Sequence, residues 1–352
     1  MSLEDQAVKV RQGEELDNAT VKAFLSKYVD NTEGDLEITQ FPGGASNLTY
    51  QLSVGGEQYI LRRPPFGNIA KGAHDMLREA NIMEALKPVY KYVPNIIAKC
   101  DDHDVLGCDF YIMEKFKGII PRKELPEELN LTEADTRKLC LNVVDKLIEL
   151  HQVDAKAAGL DGLGKGDGYV SRQINGWTKW YEKALTPDAT SFEEVMDWLK
   201  ANMPNDVAQC LIHNDFRFDN VVLDINDPLD VIGVLDWEMA TIGDPLMDLG
   251  NSLAYWIQAD DDDVAQSMRL QPTHLPGMLT RQEVVEYYLE KTGYKCESFT
   301  FYEVYGMFRL AVIMQQIYKR YYEGLTKDPR FASFAESARY LEKRCLKLIK
   351  GE

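Results

Sequence analysis

Val21, Phe24, Leu25 and Tyr28 fall at i, i+3, i+4 and i+7, and predict a helix over Asn18–Tyr28 with one apolar face. The period then changes. Leu36, Ile38 and Phe41 open a strand, and Leu48, Tyr50, Leu52 and Val54 alternate strictly with polar residues, the mark of a half-buried strand. Gly55-Gly56 supplies a hairpin turn, after which Tyr59–Arg62 pairs back. Prolines 64 and 65 stop that strand. Ala73–Leu86 reads as a helix with Met76, Ala80 and Met83 on one face and Glu79 beside it. Asn95–Lys99 and Phe110–Met113 are two further strands, and the chain leaves the sheet at Gly118. About five strands and a helix precede this point, and mostly helix follows. The expected division is therefore 1–116 and 117–352.

In the second part, Thr132 with Asp135 three residues on resembles a capping box, and Leu139, Val143, Leu147 and Leu150 form the stripe of the helix it starts. Trp177, Trp180, Tyr181 and Ala184 repeat the helical spacing, as do Phe192, Val195, Met196 and Leu199; both read as core stripes. Leu211-Ile212, Val221–Leu223 and Val231–Leu235 are short strand candidates. Gly243-Asp244-Pro245 then places Asp at an N-cap and Pro at the first helical position, with Asp248 in the first turn. That pattern needs nothing beyond a helix start that braces the preceding loop. Helical segments are expected over Arg281–Lys291, Tyr302–Tyr322 and Phe331–Lys350, with Tyr305, Phe308, Val312 and Gln315-Gln316 marking the middle one as largely buried.

The 352 residues fit about two domains or lobes, and 45% hydrophobic content is enough for a sizeable core. A net charge of −18 argues against a nucleic-acid surface, which needs Lys/Arg patches. The acidity is ordinary for a solvated surface, although it would also attract a cationic substrate. Asp260–Asp263 reads as an exposed loop. Six scattered cysteines without a C-x-x-C pair read as buried thiols of a reducing compartment, and the histidines have no zinc-type spacing. MSLEDQAVKV is too polar for a secretory leader, and no apolar run approaches a membrane span. A cytoplasmic protein, free of membrane and nucleic acid, is expected; oligomeric state is left open.

The chemistry gathers between Cys210 and Leu249. His213, Asp215 and Asn220 write H-x-D-x-x-x-x-N, and the apolar run Val231–Leu235 delivers Asp236. A carboxylate, an amide and a second carboxylate are thereby brought onto loops at strand ends. A magnesium-nucleotide site needs such groups, because the metal takes hard oxygen ligands and an acceptor hydroxyl needs a carboxylate to orient it and take its proton. Asp215 is the candidate base, Asn220 and Asp236 the candidate metal ligands, and Arg217 could reach the transferred phosphoryl group. Upstream, Phe41-Pro42-Gly43-Gly44-Ala45-Ser46-Asn47 offers small residues whose N–H groups can approach an anion. Arg62 and Glu79 form a candidate cation–carboxylate pair of strand and helix. Taken singly, each of these upstream features is better explained by a glycine-rich hairpin or by unconnected surface charges.

IHNDFRFDNVVLD, VIGVLDWE and GDPLMDL resemble the aminoglycoside phosphotransferase/choline kinase-like family of the protein-kinase-like fold. FPGGASNLTY, YILRRPPFG, REANIMEAL and FYIMEKFKG are similar to its nucleotide loop, third strand, first-lobe helix and hinge. The subgroup resembled is the kinase-like domain found fused to acyl-CoA dehydrogenases. The resemblance implies an α+β bilobal fold, with a five-stranded antiparallel sheet plus helix in the N-terminal lobe and a mostly helical C-terminal lobe. It implies that Asp215 is the catalytic residue, with Asn220 and Asp236 on Mg²⁺. Gly43, Gly44, Ser46 and Asn47 would cover the phosphates, Arg62 take the strand-cation place, Glu79 pair with it, and the backbone of Glu114 and Phe116 bond the adenine. Arginine at 62 departs from the lysine of the wider kinase pattern, and the two cations are not interchangeable. The implied activity is ATP- or GTP-dependent phosphorylation of a small-molecule hydroxyl, on a hydroxyacyl-CoA, a hydroxy acid or an amino sugar. The acceptor would lie near Asp260–Asp263 or near Trp177, Trp180, Trp256 and Tyr305. The alternative is a non-catalytic, nucleotide-binding pseudokinase. A protein kinase is disfavoured because Asp236-Trp237-Glu238 replaces D-F-G and no A-P-E segment follows.

Overall fold

The computed structural model describes residues 3–42, 47–67 and 75–351. The contacts divide the chain into two compact units, Met1–Ile120 with Asn220–Ala240, and Pro121–Asp219 with Thr241–Glu352. In chain order the first unit opens with α1 (Asn18–Leu25), β1 (Glu37–Gln40), β2 (Leu48–Val54), β3 (Glu57–Arg63), α2 (Met76–Leu86), β4 (Ile96–Cys100), α3 (His103–Leu106), β5 (Phe110–Glu114) and β6 (Gly118–Ile119). The second contributes α4 (Glu133–His151), α5 (Tyr169–Ala184), α6 (Glu193–Ala201) and β7 (Cys210–Ile212). The chain returns to the first unit for β8 (Val221–Asp224) and β9 (Val231–Val234). It ends in the second with β10 (Thr241–Gly243), α7 (Pro245–Ala254), α8 (Asp263–Ser267), α9 (Arg281–Thr292), α10 (Thr300–Tyr322) and α11 (Phe334–Lys350).

The first unit holds the expected five-stranded antiparallel sheet, in the order β1-β2-β3-β5-β4. β2 alternates buried and half-buried positions along its length, as its period-2 pattern predicts. Its buried Leu48, Tyr50, Leu52 and Val54 join Leu61, Phe110 and Ile112 in a core covered by Val21, Phe24 and Leu25 of α1. Full burial of each such side chain is worth about 1.5–3 kcal/mol. Gly55 and Gly56 have φ +59° and +82°, the two left-handed residues that a tight hairpin requires. Because Leu61 faces the α1 core, its neighbour Arg62 faces the other side of the sheet, where α2 packs on β4 and β5. The chain does not simply leave the sheet at Gly118. Gly118 and Ile119 pair with Asp224 and Leu223, making a second sheet, β6-β8-β9. Chain order alone put 220–240 in the second part, and this non-local pairing is why the contacts group it with the first.

The second unit is helical around α10, which packs against α5, α6, α7 and α11 and is buried nearly all round. The capping box is present: Thr132 accepts from the Asp135 N–H, and Asp135 accepts from the Thr132 N–H. Several stripe positions depart from expectation. α1 ends at Leu25, so Tyr28 lies beyond it and is exposed. Trp180 is exposed although Trp177 and Tyr181 on its helix are buried. Phe192 precedes α6 at φ +51° while its ring is buried. Gln315 is buried but Gln316 is exposed. The Asp260–Asp263 run is not a plain exposed loop: Asp261 is ion-paired to Arg281 at 2.6 Å and Arg344 at 3.1 Å, and Asp262 caps α8. The six cysteines are free; five are buried, and Cys296 is half-buried. No described helix is long and apolar enough to cross a membrane.

Candidate active site

In the first unit the site is built on β3, α2 and the turn after β9. Arg62 stands opposite Thr49 and Tyr111 in the sheet. Its guanidinium pairs with Glu79 through one nitrogen and with Asp236 through the other, the latter at 3.2 Å. Glu79 is 0% exposed and also accepts from the Trp237 N–H at 3.2 Å. Burial pushes the Glu79 carboxyl up, while Arg62 pulls it back. Burial works against the Arg62 charge too, but Glu79, Tyr111 and Asp236 hold its pKa above the ordinary arginine value. Asp236 adopts the left-handed conformation, φ +67° and ψ +64°, uncommon for a residue with a side chain and typical of functional turns. The neighbouring Arg78 donates to the carbonyls of Glu238 and Ala240, so α2 grips this turn twice. Asn47, at the end of the glycine-rich loop, donates to Glu238 at 2.7 Å. The Asn220 carbonyl accepts from the Leu235 N–H at 2.8 Å, which places the amide residue and the residue before Asp236 side by side at strand ends. Asp236 retains 34% side-chain exposure. A carboxylate and an amide oxygen, both hard donors at adjacent strand ends, fit an Mg²⁺ ion that completes its shell with phosphate and water.

In the second unit β7 delivers His213, Asn214 and Asp215. The loop is held from beneath by Asp248 of α7, which accepts from the His213 N–H at 2.8 Å and the Asn214 N–H at 2.7 Å. Asp248 also bonds His151 of α4 at 3.0 Å, and the other nitrogen of His151 contacts the Tyr288 hydroxyl at 2.5 Å. Asn214 turns at φ +65°, and its carboxamide oxygen accepts from Tyr169 and Asn251. Asp215 keeps 21% side-chain exposure and ion-pairs with Arg217 at 3.3 Å. Arg217 reaches Asp219 at 3.3 Å as well, and its guanidinium lies over the Tyr255 ring at 4.5 Å. Phe218 donates its N–H to Gln271.

Of the residues picked from sequence, Arg62, Glu79 and Asp236 are joined directly, and Asn220 and Asn47 are tied to the same turn through Leu235 and Glu238. Glu79 is sealed from solvent and paired to Arg62. Glu114 ends β5, and its N–H is committed to the Asn95 carbonyl at 2.9 Å. The Phe116 ring packs against Gly233, where a β-carbon would meet it at 2.6 Å. Gly43, Gly44 and Ser46 lie outside the described residues. Sequence reasoning missed His151, Arg78, Glu238 and Tyr255. None stands at a spacing that signals a role; only non-local packing brings them in.

A model of the phosphotransferase enzyme family (APH) matches residues 37–278. The chain belongs to the phosphotransferase enzyme family. This phosphotransferase-family chain is 32% identical over 356 residues to human acyl-CoA dehydrogenase family member 11, covering 99% of itself and 45% of that protein. It spans less than half the length of the curated relatives it matches. A crystal structure of a candidate aminoglycoside phosphotransferase from Ralstonia eutropha JMP134 matches with a TM-score of 0.79 and 28% identity, covering 96% of this chain and 99% of that one. Choline kinase from Cryptosporidium parvum Iowa II shares the fold, with a TM-score of 0.65 at 15% identity over 95% of this chain and 96% of that one.

Proposed function

We propose that the chain is a kinase that moves the terminal phosphoryl group of ATP or GTP to a hydroxyl of a small molecule. The observation that carries this is the Arg62 bridge, paired at once to Glu79 and Asp236. A buried cation held by a helix carboxylate is what a kinase uses to grip nucleotide phosphates. Asn220 and Asp236 are the residues to hold Mg²⁺, which when bound neutralises charge on the phosphate oxygens. Arg62 binds the inner phosphates, with Glu79 fixing its direction. Gly43, Gly44, Ser46 and Asn47 close over the phosphates. Phe116 backbone and the Glu114 carbonyl meet the base; the Glu114 N–H is already engaged. Asp215 orients the acceptor hydroxyl and takes its proton as the new O–P bond forms, and Asp248 keeps the loop of Asp215 in place. Arg217 steadies the Asp215 carboxylate and offers charge to the phosphoryl group in transit. The acceptor is a hydroxy acid or hydroxyacyl-CoA rather than a cationic amino sugar, because Asp261 and Asp262 are already committed to arginines and a helix cap.

Asp215→Ala tests this. Turnover should fall by roughly 10²–10⁴-fold while nucleotide still binds. Acceptor-stimulated ADP or GDP release over a panel of hydroxy acids, acyl-CoAs and amino sugars is the assay. Undiminished turnover in the variant, or calorimetry without Mg²⁺-dependent nucleotide binding, overturns the reading.

A further inference from the structure

The second unit holds a cavity of about 110 Å³ between the end of α7, the start of α9, α10 and α11. Buried Trp256, Met307 and Leu341 give it apolar walls. Three charged side chains line it too: Glu303 of α10, Arg281 of α9 and Arg344 of α11. The two arginines keep 20% and 22% of their side chains exposed, so the cavity is reachable from solvent. Among the described residues, none from 213–220 lines it, which sets it apart from the Asp215 loop. Apolar walls with a few convergent polar groups are the usual make-up of a small-molecule pocket.

The charges around this cavity do not cancel pair by pair. Arg281 and Arg344 share one carboxylate, Asp261, at 2.6 Å and 3.1 Å. Asp262, the next acid along, is committed to the α8 cap and to the Tyr340 hydroxyl. One positive charge is therefore left over on that side. Glu303 carries the complementary charge, yet among the described residues its carboxylate makes no hydrogen bond and no ion pair. It is half-buried; burial pushes its carboxyl up, and Arg281 and Arg344 pull it back without touching it. A glutamate drawn partly out of water is seldom left without a donor, because the lost hydration is not replaced.

We propose that this cavity binds a small apolar amino acid, with its ammonium on Glu303, its carboxylate on Arg344 and its hydrocarbon side chain against Trp256, Met307 and Leu341. The site is independent of the phosphotransfer reading. A simple amine would meet two guanidinia and a simple acid would meet Glu303, whereas a zwitterion satisfies both sides. Arg344 is the freer of the two arginines. Arg281 gives two nitrogens to Asp261 and one of them also to the Trp256 carbonyl, while Arg344 gives Asp261 one. A forked guanidinium with nitrogens to spare suits a second carboxylate. A cavity of roughly 150 Å³ takes benzene, so this one holds a hydrocarbon chain of about four or five carbons.

Isothermal titration calorimetry on the full chain tests this with leucine, isoleucine and methionine. Each ligand is compared with stripped relatives: leucine methyl ester, which lacks the free acid, and 4-methylpentanoate, which lacks the amine. At least one of the three amino acids should bind wild type, and each stripped relative should bind about tenfold more weakly or worse, the lower end of what a hydrogen bond to a charged group contributes. Glu303→Gln keeps the shape of the side chain and should weaken the amino acid by a similar factor, as should Arg344→Met. Asp215→Ala should bind it as wild type does, which separates this cavity from the acceptor site and leaves the outcome independent of turnover. Thermal denaturation checks that each variant is folded, and if one is not, the other decides. The proposal is overturned if none of the three amino acids binds wild type at millimolar concentration, or if the ester or the des-amino acid binds as tightly. Wild-type affinity in a folded Glu303→Gln or Arg344→Met chain overturns it as well, and so does loss of binding in Asp215→Ala.

Discussion

At the scale of single residues, Arg62 and Asp248 carry the most. Arg62 serves two carboxylates at once through two separate nitrogens, a spread that a forked guanidinium spans and a compact ammonium does not match. Arg62→Lys is expected to keep the Glu79 pair, lose the Asp236 contact and raise the nucleotide KM about tenfold, for a loss of about 1.4 kcal/mol; steady-state kinetics against ATP reads this. Arg62→Met leaves Glu79 buried and unpaired, and should cost about 3–5 kcal/mol in urea denaturation. The double variant Arg62→Met, Glu79→Leu should recover much of that loss. Asp248 responds to acid. Burial would raise its pKa, but the His151 hydrogen bond, the two histidine charges and the His213 N–H hold it below the ordinary 3.8. A carboxylate depressed on folding contributes stability that is complete above its unfolded pKa and is lost as pH falls through its folded one. Asp248→Asn should therefore flatten the acid limb of stability below about pH 4. It should also cost about 1–3 kcal/mol at neutral pH, because an amide cannot accept from all three donors. Denaturation midpoints at neutral and acid pH measure both.

At the scale of elements, α7 and α10 meet backbone to backbone. A β-carbon on Gly306 would lie 2.1 Å from the Gly250 carbonyl, and one on Gly250 would lie 2.3 Å from the Tyr302 carbonyl. Gly306→Ala must push the helices apart, at about 1–3 kcal/mol. Since α7 carries Asp248, turnover should fall along with the denaturation midpoint; a drop in neither would show the crossing to be slack. Elements of this chain were legible where one local period dominated. β2 reads directly from its alternation, and α4 and α7 from their caps, because those signals lie within a few residues. Tyr28, Trp180 and Phe192 misled because helix ends and outer faces are set by what packs against them. β6 is too short to carry a pattern, and exists only because β8 pairs with it.

At the scale of the molecule, the expected nucleotide site implies linkage between ligand and stability. ATP with Mg²⁺ at a hundredfold excess over Kd should stabilise the fold by about 2.7 kcal/mol. Asp236→Asn should abolish the Mg²⁺-dependent part, as seen in thermal shift with and without chelator. The net charge of −18 also implies self-repulsion, so moderate salt should raise the thermal midpoint by screening. A midpoint that falls with salt would mean that ion pairs such as those of Asp261 outweigh the repulsion.

By itself the sequence determined the five-stranded sheet, the helical second part, the family and the spacing of Asp215, Asn220 and Asp236, because each is written in short periods or in one contiguous stretch. It proposed the Arg62–Glu79 pair but could not decide it, since two distant charges carry no local sign of contact. Tertiary structure alone decided that Arg62 also reaches Asp236 and that His151 and Asp248 hold the loop from His213 to Asp215. Those facts depend on which faces meet when separate elements pack, and no local pattern along the chain records that.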